Sequence, residues 1–524
     1  MKILPTILAA GAVLSLPAQK KMNVLFIAID DLKPETSAHG NKYAITPNIQ
    51  RLADHGALFT SCYVQQAISG PTRASILTGT RPDRTRVWDL LTDFRQVNPN
   101  AVSLPQYFKE NGYQTQGMGK IFHVTSAGPG HDAPSWSIPH TKSIKPGYGG
   151  KYGARGPAVE APDVADNELH DGYLAEMAVE ALTKLSKNNE KPFFLAVGFL
   201  KPHLPFVAPK KYWDLYKREE APLAPFQQKA KNSPDVAYHS ASELKSYSDI
   251  PFFDSYSDEA YMHLNKEKQK ELLHGYYAAM SYTDANIGKV VDQLYTLGLE
   301  KNTIIVLWGD HGWHLGDHGL WSKMTDFEQA THAFFMMSVP GMPKGIKPST
   351  PCEFLDVFPT LCDLNGLAIP SWLDGVTLAP ALKNPKAVVK EYAMSQYPRP
   401  KGVMGYTIRT QRFRYTQWIG KEFTTDKIYN PKEVVGVEMY DYANDPLETV
   451  SVIGDPKYKK EQEYMEKLFA QAIEREYGRA MAFNKIADYQ PIVKVESAVK
   501  QRERKMEANK EAAKNPAKQI QKPN

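Results

Sequence analysis

Short apolar runs that stop abruptly at polar residues recur along this chain, and stretches of helical periodicity separate them. Asn23-Val24-Leu25-Phe26-Ile27-Ala28-Ile29 is apolar almost throughout and ends at Asp30-Asp31. A continuous run of this length, without alternation, predicts a strand buried on both faces of a parallel sheet. The pattern returns over 113–118, closing on Gly119-Lys120-Ile121-Phe122-His123, and over 192–199, closing on Leu200-Lys201-Pro202-His203. It returns again over 302–308, closing on Gly309-Asp310-His311.

Helices are predicted between these strands. One opens at Pro47 with Thr46 as its cap, one covers 104–112 and is closed by Gly112, and a third spans 166–188 through Leu174, Met177, Ala178, Ala181 and Leu182. The longest covers 266–299, with Tyr276, Tyr277, Met280, Ile287, Val290, Val291 and Leu294 at helical spacing. Strands alternating with helices define an α/β class, a large and mostly parallel sheet sandwiched by helices. From about Glu391 the pattern changes. Residues 404–407, 413–418 and 439–442 read as short strands and 458–477 as a helix, so a small C-terminal α+β domain is expected over 391–480, behind a catalytic domain over 22–390. The stretch 128–162, rich in Gly, Pro and Ser, reads as a long loop or lid, and 208–258 as an excursion at the rim.

Charge and termini add little to the fold but bear on location. Residues 494–524 carry nine Lys/Arg against four Glu, the whole of the chain's net +5, with no aromatic residue among them. The stretch 481–524 is therefore expected to be a basic, solvated tail, and the lack of aromatics among the charges of 494–524 weighs against nucleic acid as its partner. Lys2 followed by the apolar run 3–16 and Leu16-Pro17-Ala18 predicts a signal peptide over 1–18, too short to span a membrane. With a mean hydropathy of −0.45, no membrane span is expected, and the chain reads as exported, periplasmic or secreted. The cysteines are Cys62, Cys352 and Cys362; both a Cys352–Cys362 bridge and buried free thiols fit them.

The polar strand ends carry the candidate chemistry. Parallel strands present their carboxyl ends at one edge of the sheet, where ligands of open α/β folds bind. Asp30, Asp31 and Asp310 supply three carboxylates there, a hard oxygen site suited to Ca²⁺ or Mg²⁺. Lys120 and His123, and separately His203, are polar groups at neighbouring strand ends. Within 310–318 lie three His and two Asp, which makes zinc a competing thought, although four Gly between 309 and 319 mark a loop with no fixed His spacing. Ser69-Gly70-Pro71-Thr72-Arg73 reads either as a nucleophile at a helix N-terminus, where free N–H groups attract anions, or as an ordinary capped helix ended by Gly79.

The pattern S-x-P-T-R at 69–73, continuing A-S-I-L-T-G-T-R-P, resembles the signature of type I sulfatases, in which a Cys or Ser is oxidised to formylglycine. Further sulfatase-like stretches follow in order: T-P-N-I-x-x-L-A from Thr46, V-G-F-x-K-P-H-x-P-F from Val197, 353–361, 373–376, and the Y-D-x-x-x-D-P segment ending at Pro446. The likeness is strongest to the iduronate-2-sulfatase family. It implies the alkaline-phosphatase-like sulfatase fold and a calcium ion held by Asp30, Asp31, Asp310, His311 and the modified Ser69. It also implies that Lys120 and Lys323 bind the sulfate oxygens, Arg73 orients the formylglycine hydrate, His123 takes its proton and His203 protonates the leaving alcohol. The hydrate offers one hydroxyl for attack and a second for sulfate release. Ser in place of Cys implies maturation by an anaerobic-type radical enzyme before the chain meets the export machinery. The implied substrate is a sulfated oligosaccharide, attacked at a terminal uronate 2-O-sulfate, with Arg84, Arg86, Trp88, Trp313 and Trp321 as candidate sugar contacts. A zinc phosphodiesterase or phosphatase of the same superfamily, with unmodified Ser69 and a second metal on His314, Asp317 and His318, is the alternative. A catalytically dead carbohydrate-binding protein is a third.

Overall fold

The computed structural model describes residues 21–484 apart from 125–126, 129–130, 146–155, 188–189, 240–242, 251–263 and 421–432. The expected signal peptide 1–18 and, of the tail expected over 481–524, everything beyond Asn484 lie outside the described residues, whereas 481–484 continue the last helix, Lys459–Asn484.

Seven strands build the main sheet: β1 (Asn23–Ile29), β2 (Ala57–Leu58), β3 (Gln114–Gly119), β4 (Ile138–Thr141), β5 (Phe193–Phe199), β6 (Thr303–Gly309) and β7 (Phe335–Ser338), in the spatial order β2-β7-β6-β1-β5-β3-β4. The central strands run parallel, and β7 pairs antiparallel with both β6 and β2. Every residue of β1 is buried, which explains its unbroken apolarity. Its side chains alternate between two cores. Leu25, Ile27 and Ile29 pack with the helices His170–Leu185 and Lys266–Thr296, whereas Val24, Phe26 and Ala28 face the opposite layer with Ile76, Leu77, Leu104 and Phe108.

Register positions the site. Ile29 lies opposite both Phe199 and Gly309, and Gly119 opposite Gly198, so four strands end level with one another. The residues that follow them, Asp30, Lys120, Leu200 and Asp310, therefore emerge side by side.

The C-terminal part forms a second, antiparallel sheet of β8 (Ala393–Arg399), β9 (Val403–Arg409), β10 (Phe413–Ile419) and β11 (Val434–Asp441), in that order. Met465, Leu468, Phe469, Ala472 and Ile473 of the last helix, Lys459–Asn484, cover it against Ile408 and Tyr415.

Two features differ from the sequence reading. The expected loop 128–162 contains β4, an edge strand of the main sheet, whose Ile-Pro-His-Thr sequence lacks an apolar pattern because only one side of it is paired. β8 was not expected at all, since Ser395, Gln396 and Pro398 break its apolar run. Of the two cysteine states open from the sequence, the structure holds the second: all three cysteines are buried free thiols, and Cys352 pairs across a short parallel ladder with Cys62.

Candidate active site

Ser69 is the first residue of the helix Ser69–Thr78, capped at its other end by Gly79 in the left-handed conformation. Gly70 next to it is required by close approach, since a Cβ there would lie 2.4 Å from the Asp89 carbonyl oxygen. The Ser69 hydroxyl is buried and donates to Asp310 Oδ2 at 2.6 Å; Asp30 Oδ1 lies at 3.2 Å and His311 Nε2 at 3.5 Å. One helical turn on, Arg73 reaches back to the same carboxylates, with Nε 3.0 Å from Asp310 Oδ2 and Nη2 3.1 Å from Asp30 Oδ1. Its remaining nitrogen donates to the carbonyls of Lys120 and of Ile121, the latter at 3.0 Å. Arg73 is wholly buried, so these partners satisfy a charge that would otherwise be costly.

The strand ends supply the rest. Asp31 takes a left-handed φ of 61°, which turns the chain so that both consecutive carboxylates reach the site. Its N–H donates to Asp310 Oδ1 at 2.9 Å. Lys120 forms an ion pair with Asp30, at a crossing that only Gly198 allows, because a Cβ there would sit 2.1 Å from the Lys120 carbonyl oxygen. His311 Nδ1 hydrogen-bonds the Gly312 carbonyl at 2.9 Å, which places the proton on Nδ1 and leaves Nε2 facing Asp31 Oδ1 at 3.2 Å and Asp310 Oδ1 at 3.6 Å. Lys323 Nζ lies 3.1 Å from both Asp31 oxygens and 4.5 Å from the centre of the Trp313 ring. His203 Nδ1 donates to the Leu204 carbonyl at 2.6 Å, and its Nε2 is 3.7 Å from Asp31 Oδ2. His123 is half-buried beyond β3, and burial, followed by Lys120, pushes its pKa down to about 3.

One member of this cluster was not foreseen. Glu243 stands 3.0 Å from Lys323 Nζ and 3.4 Å from His203 Nε2. It comes from the stretch read as a rim excursion, and no local pattern marks it, because its contacts are made only through tertiary folding.

The carboxylates divide by environment. Burial would raise Asp30, but Lys120, His203 and Arg73 overrule it and hold the group well below the usual carboxylate range. Asp31 goes the other way: burial raises it, Lys323 opposes, and Asp30, Glu243 and Asp310 push it well above that range. The site thus concentrates more negative charge than its own cations balance. Among the described residues, Asp31, Asp310 and His311 bring ligand atoms within 4.8 Å of one another, as do Asp31, His203 and Glu243. With Asp30 beside the first group, a donor set dominated by carboxylate oxygens fits a hard divalent cation.

The second-metal residues of the alternative reading are engaged elsewhere. His314 Nε2 lies 2.8 Å from Thr325 Oγ1, Asp317 is paired with Lys33 at 3.1 Å, and the His318 ring is stacked on Phe327. None of the three belongs to either candidate metal group found among the described residues. Two of the expected sugar contacts, Trp313 and Trp321, are 1% exposed and belong to the core, and Arg84 is bound to Asp374 and the Trp372 carbonyl.

The chain matches the sulfatase family over residues 22–367, and over 316–475 the C-terminal region of N-sulphoglucosamine sulphohydrolase. It is 34% identical over 517 residues to the iduronate 2-sulfatase of Mus musculus, covering 84% of this chain and 92% of the relative. Against the iduronate 2-sulfatase of Homo sapiens the identity is 33% over 512 residues, covering 83% and 91%. Among solved structures, one in complex with its substrate D-glucosamine-2-N,6-O-disulfate superposes with a TM-score of 0.71 at 22% identity, over 89% of this chain and all of that one. A 2-O GAG sulfatase gives 0.66 at 23% identity, over 88% and 94%, and both establish the fold. A level sheet edge that gathers carboxylates, lysines and a buried helix-terminal hydroxyl is thus that of a sulfuric ester hydrolase, and the chain belongs to the sulfatase family. Within that family it is similar to the iduronate 2-sulfatases over most of its length.

Proposed function

We propose that this sulfatase removes the 2-O-sulfate from a uronic acid of iduronate type at the end of a glycosaminoglycan-like saccharide, with Ser69 as the precursor of its formylglycine. The observation that carries the reading is the Ser69 hydroxyl, buried at a helix N-terminus and 2.6 Å from Asp310 amid three carboxylates and two lysines. The uronate and the 2-position rest on the iduronate 2-sulfatase relatives and on 26% identity to a Delta 4,5-hexuronate-2-O-sulfatase of Bacteroides thetaiotaomicron.

A sulfate monoester presents an electrophilic sulfur behind negative oxygens, so catalysis requires charge neutralisation and a positioned nucleophile. Lys120, paired with Asp30, and Lys323, paired with Asp31, are suited to hold sulfate oxygens. Arg73, locked by four acceptors, fixes the orientation of residue 69. His123 lies near enough to Lys120 and Arg73 to feel their charge and, held neutral, accepts the proton needed for sulfate release. His203, whose Nδ1 proton is held by the Leu204 carbonyl, faces the pocket with Nε2; once Nε2 has taken a second proton beside Asp31 and Glu243, it gives that proton to the leaving alcohol. Formylglycine, when present, supplies the hydroxyl that attacks sulfur and the one that later expels sulfate. Asp30, Asp31, Asp310 and His311 would hold the cation; their oxygen-rich donors suit Ca²⁺ or Mg²⁺, the likeness to the sulfatases favours calcium, and the ion would supply charge neutralisation at the sulfate oxygens. The Ser-type motif supports maturation by a radical enzyme ahead of export, and the apolar start of the chain supports a periplasmic or secreted location. We place the catalytic domain at 22–390 and the smaller one at 391–480.

Mass spectrometry of the tryptic peptide 52–73 from the native producer tests the nucleophile. A loss of about two mass units at Ser69, the hydrogens removed in oxidising an alcohol to an aldehyde, is expected. That preparation should release inorganic sulfate from a 2-O-sulfated iduronate disaccharide. Unmodified Ser69 in an active preparation would sink the formylglycine mechanism.

A further inference from the structure

We infer that Arg399, in the second sheet and remote in sequence from the site, is a positioning residue for Lys323. The inference rests on the reading of Lys323 as a ligand of sulfate oxygens.

Lys323 sits in a turn of unusual backbone. Its two neighbours, Ser322 and Met324, both take left-handed conformations, with φ of 78° and 73°, a state that side-chain-bearing residues hold only when the surroundings enforce it. The enforcement is visible in the hydrogen bonds. The Met324 carbonyl accepts from Arg399 Nη1 at 2.8 Å, and the Met324 N–H donates to the carbonyl of Ala67, two residues before Ser69, at 3.2 Å. The same guanidinium donates to the carbonyls of Val236 at 2.7 Å and Ala237 at 2.8 Å. It lies 5.0 Å from the ring centres of both Tyr397 and Trp418. A planar fork that donates to the Met324, Val236, Ala237 and Pro398 carbonyls, lies beside two aromatic rings and is only 6% exposed cannot shift without releasing the Met324 turn or the 236–237 segment.

The strand that carries it reinforces the link. Along β8, the Gln396 N–H donates to the Gln65 carbonyl at 2.8 Å, and the Ser395 hydroxyl to the Val64 carbonyl, in the segment that leads into Ser69. β8 therefore touches both the approach to the nucleophile and the turn of Lys323. The sulfate pocket depends on the second sheet although none of its proposed ligands belongs to that sheet.

The test is a double-mutant cycle read as the affinity for inorganic sulfate, measured by calorimetry on the full chain, alongside kcat/KM on the sulfated disaccharide. Arg399→Lys keeps the charge but loses the fork, and Arg399→Gln is the second variant. Each is expected to weaken sulfate binding on the order of tenfold in the otherwise native chain, and by less than about twofold when Lys323→Ala is already present. Equal losses in both backgrounds would overturn the proposal, because Arg399 would then act independently of Lys323. Failure of both Arg399 variants to fold would assign the residue to the fold as a whole and overturn it too. Lys323→Ala alone with unchanged sulfate affinity would instead refute the reading of Lys323 on which the proposal rests.

Discussion

At the scale of single residues, the site sets Ser69, the proposed precursor of the nucleophile, in a crowd of carboxylates, and substitutions separate the two. Ser69→Ala removes the hydroxyl that oxidation converts to the aldehyde and should cut sulfate release on the order of a thousandfold or more, with a thermal midpoint near that of the wild type. Ser69→Cys, produced in an aerobic host that carries the oxygen-using maturation enzyme, should recover activity; inactivity of that variant once its conversion to formylglycine has been shown would count against the mechanism. Asp31 offers a different contrast. Its neighbours Asp30, Asp310 and Glu243 repel its charge, so Asp31→Asn should cost the metal-free protein little while abolishing the several-degree rise in thermal midpoint that added calcium is expected to give the wild type. An undiminished calcium-induced shift in the variant would show that Asp31 is no ligand. Asp30, Asp31 and Asp310 were legible because each directly follows a buried strand, whereas Glu243 reaches Lys323 and His203 from a loop whose local sequence encodes nothing of that contact.

At the scale of elements, continuous apolarity was the reliable signal. The run 23–29 is β1, and the strands read at 192–199 and 302–308 are β5 and β6 displaced by one residue at most. β4 and β8 escaped because edge pairing and half-polar faces leave no such run. The turn after Lys323 carries a property of its own. Asp326 is buried against Gly405 of β9, and neither of its carboxylate oxygens accepts a hydrogen bond. Burial raises its pKa to about 8 despite Arg399 and Arg414, and Glu438 adds to the rise. The folded protein therefore keeps a proton that the unfolded chain, with an ordinary Asp near 3.8, releases. Since the unfolded state then binds fewer protons, this group's contribution to stability is full below about pH 4 and falls as pH rises toward 8. Asp326→Asn should flatten that slope and gain, relative to the wild type, on the order of a few kcal/mol at pH 8. Parallel pH profiles of thermal midpoint for the two proteins would contradict the assignment.

At the scale of the whole molecule, convergence at the sheet edge was legible from the strand ends, but the docking of the second sheet was not. Its contacts join residues far apart in the chain, such as Arg81 with Glu476 of the last helix, and Arg409 of β9 with Glu328. Charge distribution, by contrast, is a sequence property and leads to a test of how the enzyme meets a long substrate. Residues from 485 onward carry ten basic and five acidic side chains, as much net charge as the entire chain. A sulfated polysaccharide is a polyanion, and a basic extension raises its local concentration without touching the reacting ester. Removing 485–524 should therefore leave kcat/KM for a sulfated disaccharide unchanged while raising KM for long sulfated chains several-fold at low salt. The difference should vanish at about 1 M salt, where the screening length shrinks to roughly 3 Å. A truncated enzyme that handles disaccharide and polymer as the full chain does, at every ionic strength, would confine substrate recognition to the sheet edge; a loss on both substrates would instead tie the tail to the integrity of the catalytic unit.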